Sequence, residues 1–172
     1  MRANRISGIV VLGVLLLLTA QVHQIEPAGQ PGPVLLTPEE AQQLWMADED
    51  WQSRPRLRGL PRGPRVLVQR PPVRDTEDGP IIETAPPMDF VVFFEQNVAP
   101  VNMDSLEIKA RKGLFSMSLT PRLKPYISGS SLEAQGLTIP EGKFLIQIEI
   151  EDTAGARTVQ SYRLEVKRAR TP

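Results

Sequence analysis

The side chains that could carry chemistry are few, and the scarcity of histidine is the sharpest limit. The chain contains one histidine, His23, and no cysteine. A serine or cysteine nucleophile would therefore lack its usual general base. Zinc, copper and iron would lack their preferred ligands, and the scattered glycines form no phosphate-binding loop. We predict no catalytic residue, no metal site and no cofactor.

Carboxylates are the remaining acid–base candidates. A pair drawn from Glu107, Glu149 and Glu151 could act on a glycosidic bond. The alternating pattern around them places all three on the outward faces of strands, where a solvated charge is the default. We therefore predict that the protein is not an enzyme.

One acidic turn is a separate candidate for calcium. The segment 75–78 offers the carboxylates of Asp75, Glu77 and Asp78, and Ca²⁺ prefers oxygen ligands of this kind. Their spacing is not that of an EF-hand, and Gly79-Pro80 fits an ordinary loop. The sequence leaves open whether this turn binds calcium or is an acidic surface turn.

Two tryptophans suggest a binding surface. Leu44 and Trp45 share one face of a predicted short helix, and Trp51 follows. Tryptophan is enriched at binding hot spots, and a short amphipathic helix can dock into a partner's groove. We predict Leu44, Trp45 and Trp51 as partner-binding residues. The alternative is that this helix folds back onto its own domain, because short helices seldom hold without tertiary packing.

The N-terminus predicts export. Arg2 and Arg5 precede an almost purely apolar run at 6–22, the arrangement of a secretory signal. Residues 1–20 are a signal peptide cleaved after Ala20, or an uncleaved anchor with its arginines in the cytoplasm. We expect the periplasm or the cell surface, with single-pass anchoring as the alternative.

The mature chain divides by its proline content. Thirteen of the 17 prolines lie between residues 27 and 100. Residues 21–63 are predicted to be a Pro-rich linker, interrupted by one short helix over 38–48. Thr37 and Glu40 form its capping box, and Pro38 suits its first position.

From residue 64 to 168 the apolar period changes to two, which predicts strands. Phe144, Ile146, Ile148 and Ile150 alternate with polar residues, and the turn 152–155 joins them to a returning strand. Six or seven short strands with hardly any helix favour an antiparallel β-sandwich, with a small barrel as the alternative. The protein is thus predicted to be mainly β.

The stretch Ile148-Glu149-Ile150-Glu151-Asp152-Thr153-Ala154-Gly155 resembles the closing hairpin of bacterial immunoglobulin-like domains from cell-surface and periplasmic proteins. Pro140-Glu141-Gly142-Lys143-Phe144 resembles the turn that opens their penultimate strand. The resemblance implies an immunoglobulin-like sandwich with a binding, spacing or structural role and no common chemistry. The chain lacks the cysteine pair of antibody domains.

These observations predict a non-catalytic exported cell-envelope protein that carries an immunoglobulin-like interaction or structural module. A carbohydrate- or small-ligand-binding sandwich is the alternative, for which exposed Phe93, Phe115 or Tyr126 would be the aromatic platforms. The expected partner is another envelope protein. Nucleic acid is not expected, because 20 basic residues balance 20 acidic ones.

Overall fold

The computed structural model describes residues 32–47, 51 and 62–168. The predicted signal segment 1–20, most of the predicted linker and residue 48 at the end of the predicted helix lie outside the described residues. Among those that are described, no helix is long and apolar enough to cross a membrane.

The fold is a two-sheet sandwich. The elements with described bounds are α1 (Pro38–Leu44), β1 (Arg65–Arg70), β2 (Val73–Thr76), β3 (Gly79–Thr84), β4 (Met88–Glu95), β5 (Val101–Lys112), β6 (Phe115–Ser118), α2 (Thr120–Leu123), a 3-10 turn (Lys124–Tyr126), β7 (Ile127–Ser128), β8 (Ser131–Leu137), β9 (Gly142–Asp152) and β10 (Arg157–Val166). The four-stranded sheet has the order β1-β4-β8-β7, and the six-stranded sheet has the order β2-β3-β10-β9-β5-β6. Because the two sheets are separate, the barrel alternative is wrong.

The strand order identifies the class. Lettered in chain order, β1, β4, β8 and β7 take the places A, B, E and D of an immunoglobulin domain. The strands β5, β9 and β10 take the places C, F and G, and β6 adds a C′ strand. The protein is therefore mainly β and has the predicted immunoglobulin-like sandwich fold.

Residues 62–168 contain ten strands where six or seven were expected. The additional strands are β2, β3 and β7. The hairpin β2–β3 covers the predicted acidic turn, and β3 runs parallel to β10. This region was not predicted as strand because Pro71, Pro80 and Pro87 interrupt its alternation of apolar and polar residues. The peptide bonds Arg70–Pro71 and Pro86–Pro87 are cis.

The core lies between the sheets and confirms the predicted alternation. Phe144, Ile146, Ile148 and Ile150 of β9 are all buried. Phe94 from β4 faces them from the other sheet, and both Phe94 and Phe144 are almost fully enclosed. Inward residues at every second position are what a half-buried sheet requires.

Candidate partner-binding groove

The described part of the N-terminal lead is joined to the sandwich. The backbone N–H of Leu35 donates to the carbonyl of Thr138 at 2.8 Å, and the N–H of Thr138 donates to the carbonyl of Pro33 at 2.9 Å. Leu35 and Leu36 are buried in the main core. The segment 32–47 is therefore part of the packed domain and not a tether, which differs from the linker predicted for 21–63.

An ion pair fixes the start of α1. The Thr37 hydroxyl accepts from the Glu40 N–H and the Glu40 carboxylate accepts from the Thr37 N–H, so the predicted capping box is confirmed. Arg122 on α2 donates to both Glu40 carboxylate oxygens at 2.6 and 2.7 Å, and also to the carbonyl of Leu35. Hydrogen bonds from Arg122, helped by the Thr37 N–H, lower the pKa of Glu40 to about 2.

The helix ends earlier than the predicted residue 48. It stops at Leu44, and Trp45 adopts an extended conformation. The N–H of Met46 then donates to the carbonyl of Lys143 at 3.0 Å, so the backbone leaves the helix to pair with the start of β9. The helix ends there because the strand β9 offers a partner for that N–H.

Leu44 and Trp45, adjacent in sequence, point in opposite directions. The side chain of Leu44 is completely buried in the main core, while Trp45 remains 50% exposed. The prediction that they share one face of the helix is wrong. Leu44 cannot contact a partner in this state, because it fills the end of the sandwich.

Trp45 stands over an open groove of about 620 Å³. Its other lining residues come from the start of β9 and from the end of β10 with the residues after it: Glu141, Gly142, Lys143, Glu165, Val166, Lys167 and Arg168. We call this the Trp45 groove. Its walls are mainly charged and its single large apolar surface is the indole.

Gly142 makes the position of the indole possible. A Cβ atom at this residue would lie 3.0 Å from Cδ1 of Trp45 and 2.9 Å from Cζ of Phe144. Phe144 is a core residue that cannot easily move. A side chain at 142 would therefore push Trp45 away from the groove.

Salt bridges shape the rim of the Trp45 groove. Arg168 contacts Glu141 at 3.2 Å, and Lys167 contacts Glu83 at 3.4 Å. All four side chains are at least one-third exposed, so these pairs contribute little stability and can exchange with a partner's charges. Apart from Trp45, no lining residue of the groove was predicted from the sequence to bind a partner. The Pro140–Phe144 turn was noticed only for its resemblance to other domains.

Trp51 lies elsewhere, on the outer face of the six-stranded sheet. It is buried against Met46 and Ile81. The guanidinium of Arg163 lies 5.6 Å from its ring centroid and the ammonium of Lys143 lies 5.8 Å from it, both within cation–π range. Trp51 therefore packs against its own domain, which is the alternative that the sequence left open.

Arg163 is itself buried, which the alternation of β10 did not predict. It donates to the hydroxyl of Thr76 at 2.7 Å and to the carbonyl of Trp51 at 3.3 Å, while its Nε has no hydrogen-bond partner. It occupies an outward position between Ile81 and Leu145 in the strand register. Trp51 buries it by lying over this row.

The candidate carboxylates lie on an open sheet face. The register sets Glu107 directly opposite Glu149, and Lys109 contacts both, at 2.8 and 3.6 Å. Arg157 also pairs with Glu149. The expectation that Glu149 is solvated is wrong, since these long cations leave it only 7% exposed.

The acidic turn is largely a strand and its hairpin turn. Asp75 and Thr76 belong to β2, and the chain reverses at 77–78. Within the described ranges, no group of three or more histidine, cysteine or acidic side chains is placed to hold a metal ion.

The three predicted partner-binding residues thus do not form one surface. Leu44 is in the core, Trp51 is on the outer sheet face, and Trp45 alone reaches solvent at a groove. Partner binding through Trp45 stays a prediction.

The strand order, and not similarity to known proteins, identifies the fold class of this chain. No protein-family model matches the sequence, and no curated protein matches it. CopC from Methylosinus trichosporium OB3b is similar to this chain with a TM-score of 0.35 and 11% identity, over 63% of this chain and 99% of that one. Murine CRIg is similar with a TM-score of 0.35 and 8% identity, over 62% and 99%. These similarities concern the fold alone, and the immunoglobulin-like class rests on the order of the strands.

Proposed function

We propose that this protein is a non-catalytic component of the cell envelope, exported by its N-terminal segment, that binds another envelope protein through the Trp45 groove. The observation that carries the proposal is the half-exposed indole over an open groove at one end of the sandwich. The indole would supply the apolar anchor, and the charged side chains of the rim would orient the partner. Many protein interfaces combine these two features.

The shifted pKa values of Glu40 and Tyr162 follow from their packing in the domain. Functional acids and bases often have shifted pKa values. Here Glu40 is shifted by its ion pair with Arg122, and burial raises the pKa of Tyr162 inside the core. Packing explains both pKa shifts, and neither side chain lines the Trp45 groove.

Export and family are supported by sequence. The basic residues Arg2 and Arg5 before the apolar run 6–22 support secretion to the periplasm or the cell surface. The hairpin 148–155 supports a place among bacterial immunoglobulin-like modules. Asp152 accepts from the N–H groups of Ala154 and Ala156, as that turn requires.

Site-specific photo-crosslinking in the intact envelope tests the proposal. A photoreactive phenylalanine analogue at position 45 should yield a discrete protein adduct. The matched control places the same analogue at Leu67, which is 41% exposed on β1. An adduct at 45 and not at 67 supports the proposal. Identical adducts at both positions, or none at either, would contradict it.

A sugar or small ligand is the second candidate for the same groove. An exposed indole beside Glu141 and Glu165 offers a stacking surface with hydrogen-bond acceptors, which is the arrangement a carbohydrate needs. A glycan or small-molecule adduct at position 45, identified by mass spectrometry, would support this candidate in place of a protein partner.

A further inference from the structure

The edges of the two sheets differ in how well they are protected. Edge strands usually carry charges, bulges or very short lengths that block pairing with another chain. In the described sandwich, β1 has Arg65, Arg70 and a register shift, β2 has Arg74 and Asp75, and β7 has only two residues. The fourth edge, β6, reads Phe-Ser-Met-Ser and has none of these features.

The apolar surface at this edge is also unusual. Leu114 at the tip of the β5–β6 hairpin is fully exposed, and Phe115 is 45% exposed. Met117 is only partly buried against the core. Because Lys112 pairs with Phe115 across a two-residue turn, Phe115 and Met117 lie on the inner face of the sheet, next to the buried Ala110. The core is therefore left incomplete along β6.

The backbone of β6 has a defined set of groups open to pairing. In an antiparallel ladder, alternate residue pairs exchange both hydrogen bonds, and the pair that closes a two-residue hairpin is one of them. Phe115 and Met117 consequently bond with β5. The N–H and C=O groups of Ser116 and Ser118 point to the open edge.

We propose that two copies of this chain associate through β6, antiparallel, with Ser116 opposite Ser116 of the second copy. This register pairs the outward backbone groups of both strands around a two-fold axis. It sets Phe115 opposite Met117 of the second copy at the positions where side chains approach most closely. The exposed inner-face apolar surface of each copy is then covered by the other, in a closed symmetric interface.

Charge does not oppose this pairing. β6 carries no charged residue, so no like charges meet at the axis. On the adjacent β5, Arg111 is hydrogen-bonded to Gln147 and Lys109 is paired with Glu107. The two copies of β5 would be separated by three strand spacings, about 14 Å. That distance exceeds the screening length of about 8 Å at physiological salt.

Cysteine cross-linking tests the register, because the chain has no cysteine of its own. Ser116→Cys places two thiols across the axis, where the Cα separation of about 5.5 Å suits a disulfide. Ser118→Cys, on the same face and strand, is the matched control, since it faces Leu114 of the second copy. Under air oxidation we expect most of the Ser116→Cys protein to become a covalent dimer while Ser118→Cys stays a single chain.

Mass measurement tests the association itself. In sedimentation equilibrium the purified chain should approach twice its mass, and Ser116→Lys should return it to one chain mass, while Ser116→Thr keeps the dimer. Thermal unfolding checks that Ser116→Lys remains folded. A chain that stays monomeric at high concentration, or equal cross-linking of the two cysteine variants, would overturn the proposal. This association does not depend on the Trp45 groove, so either proposal can fail alone.

Discussion

The carboxylate of Glu40 joins two distant parts of the chain by its contact with Arg122. The bidentate geometry, with distances of 2.6 and 2.7 Å, is the strong form of such a pair. Neither side chain is more than 36% exposed. The sequence indicated Glu40 as part of a cap, but gave no sign of the partner 82 residues later. Local spacing identifies a cap, whereas a long-range ion pair depends on the final packing.

The Glu40 carboxylate should make stability depend on acidity. Its pKa in the folded protein is about 2, below the usual 4.5, so its contribution is complete above pH 4.5 and is lost as the pH falls toward 2. Glu40→Gln keeps the cap and removes the charge. We expect it to lower the free energy of unfolding by about 1–2 kcal/mol at pH 7. Urea unfolding from pH 7 to pH 2 measures this, and a difference that did not shrink in acid would contradict the assignment.

The two tryptophans should differ in their contribution to stability. Trp51 is buried and contacts Arg163, so Trp51→Ala should cost about 3 kcal/mol by opening a cavity and uncovering that guanidinium. Trp45→Ala should cost less than about 1 kcal/mol, because half of the side chain is already in solvent. Denaturant unfolding of both variants checks the order. Equal costs would argue against the burial of Trp51.

Among the elements, the β9–β10 hairpin shows what local sequence can specify. The Asp152 side chain accepts from the N–H groups of Ala154 and Ala156 at 3.0 and 2.8 Å, and Gly155 supplies the positive φ of the turn. The sequence predicted the turn itself at 152–155. The hydrogen bonds that Asp152 accepts from Ala154, Gly155 and Ala156 all lie within five residues.

The same turn gives a prediction with an internal control. Asp152 is 3% exposed, so Asp152→Ala would leave two N–H groups without their acceptor and should cost about 2 kcal/mol. Asp152→Asn keeps the oxygen acceptor and should cost less than half as much. Thermal unfolding of the two variants measures the difference. A similar loss in both would mean that the charge, and not the acceptor, supports the turn.

Elements held by distant partners were harder to predict. β3 was missed because it pairs in parallel with β10, some 80 residues away, and two prolines flank its pattern. The end of α1 was misplaced because the carbonyl of Lys143 takes the N–H of Met46. For the groove, the sequence indicated Trp45 but not the wall of β9 and β10 residues. An alternating pattern shows which residues of a strand face inward and which face outward. It does not show which outward residues contact another segment of the chain.

On the scale of the whole molecule, the predicted division at residue 64 does not coincide with a boundary in packing. Leu35, Leu36, Ala41 and Leu44 belong to the same core as the strands. A chain that begins at residue 64 would lose these side chains and expose the surfaces beneath them. Packing, not composition, sets the extent of the domain.

That difference can be measured directly. A chain that begins at residue 64 should have a free energy of unfolding about 3 kcal/mol or more below that of a chain that begins at residue 32. This difference is a large share of the total free energy of unfolding of a typical domain. Urea unfolding of both provides the comparison, and a chain that begins at residue 21 controls for the new terminus. Equal midpoints would restore the linker interpretation.

The attachment of the lead to the end of the chain also has a kinetic consequence. Val34 pairs with Thr138, Met46 with Lys143 and Trp51 with Arg163, so every one of these contacts spans about 100 residues. At ordinary synthesis rates the second partner emerges about 5–20 s after the first. Until then these contacts cannot form, and contacts this distant also slow folding. The segment 32–47 of a newly made chain would thus lack its partners in β9 and the residues before it until most of the chain has been synthesised.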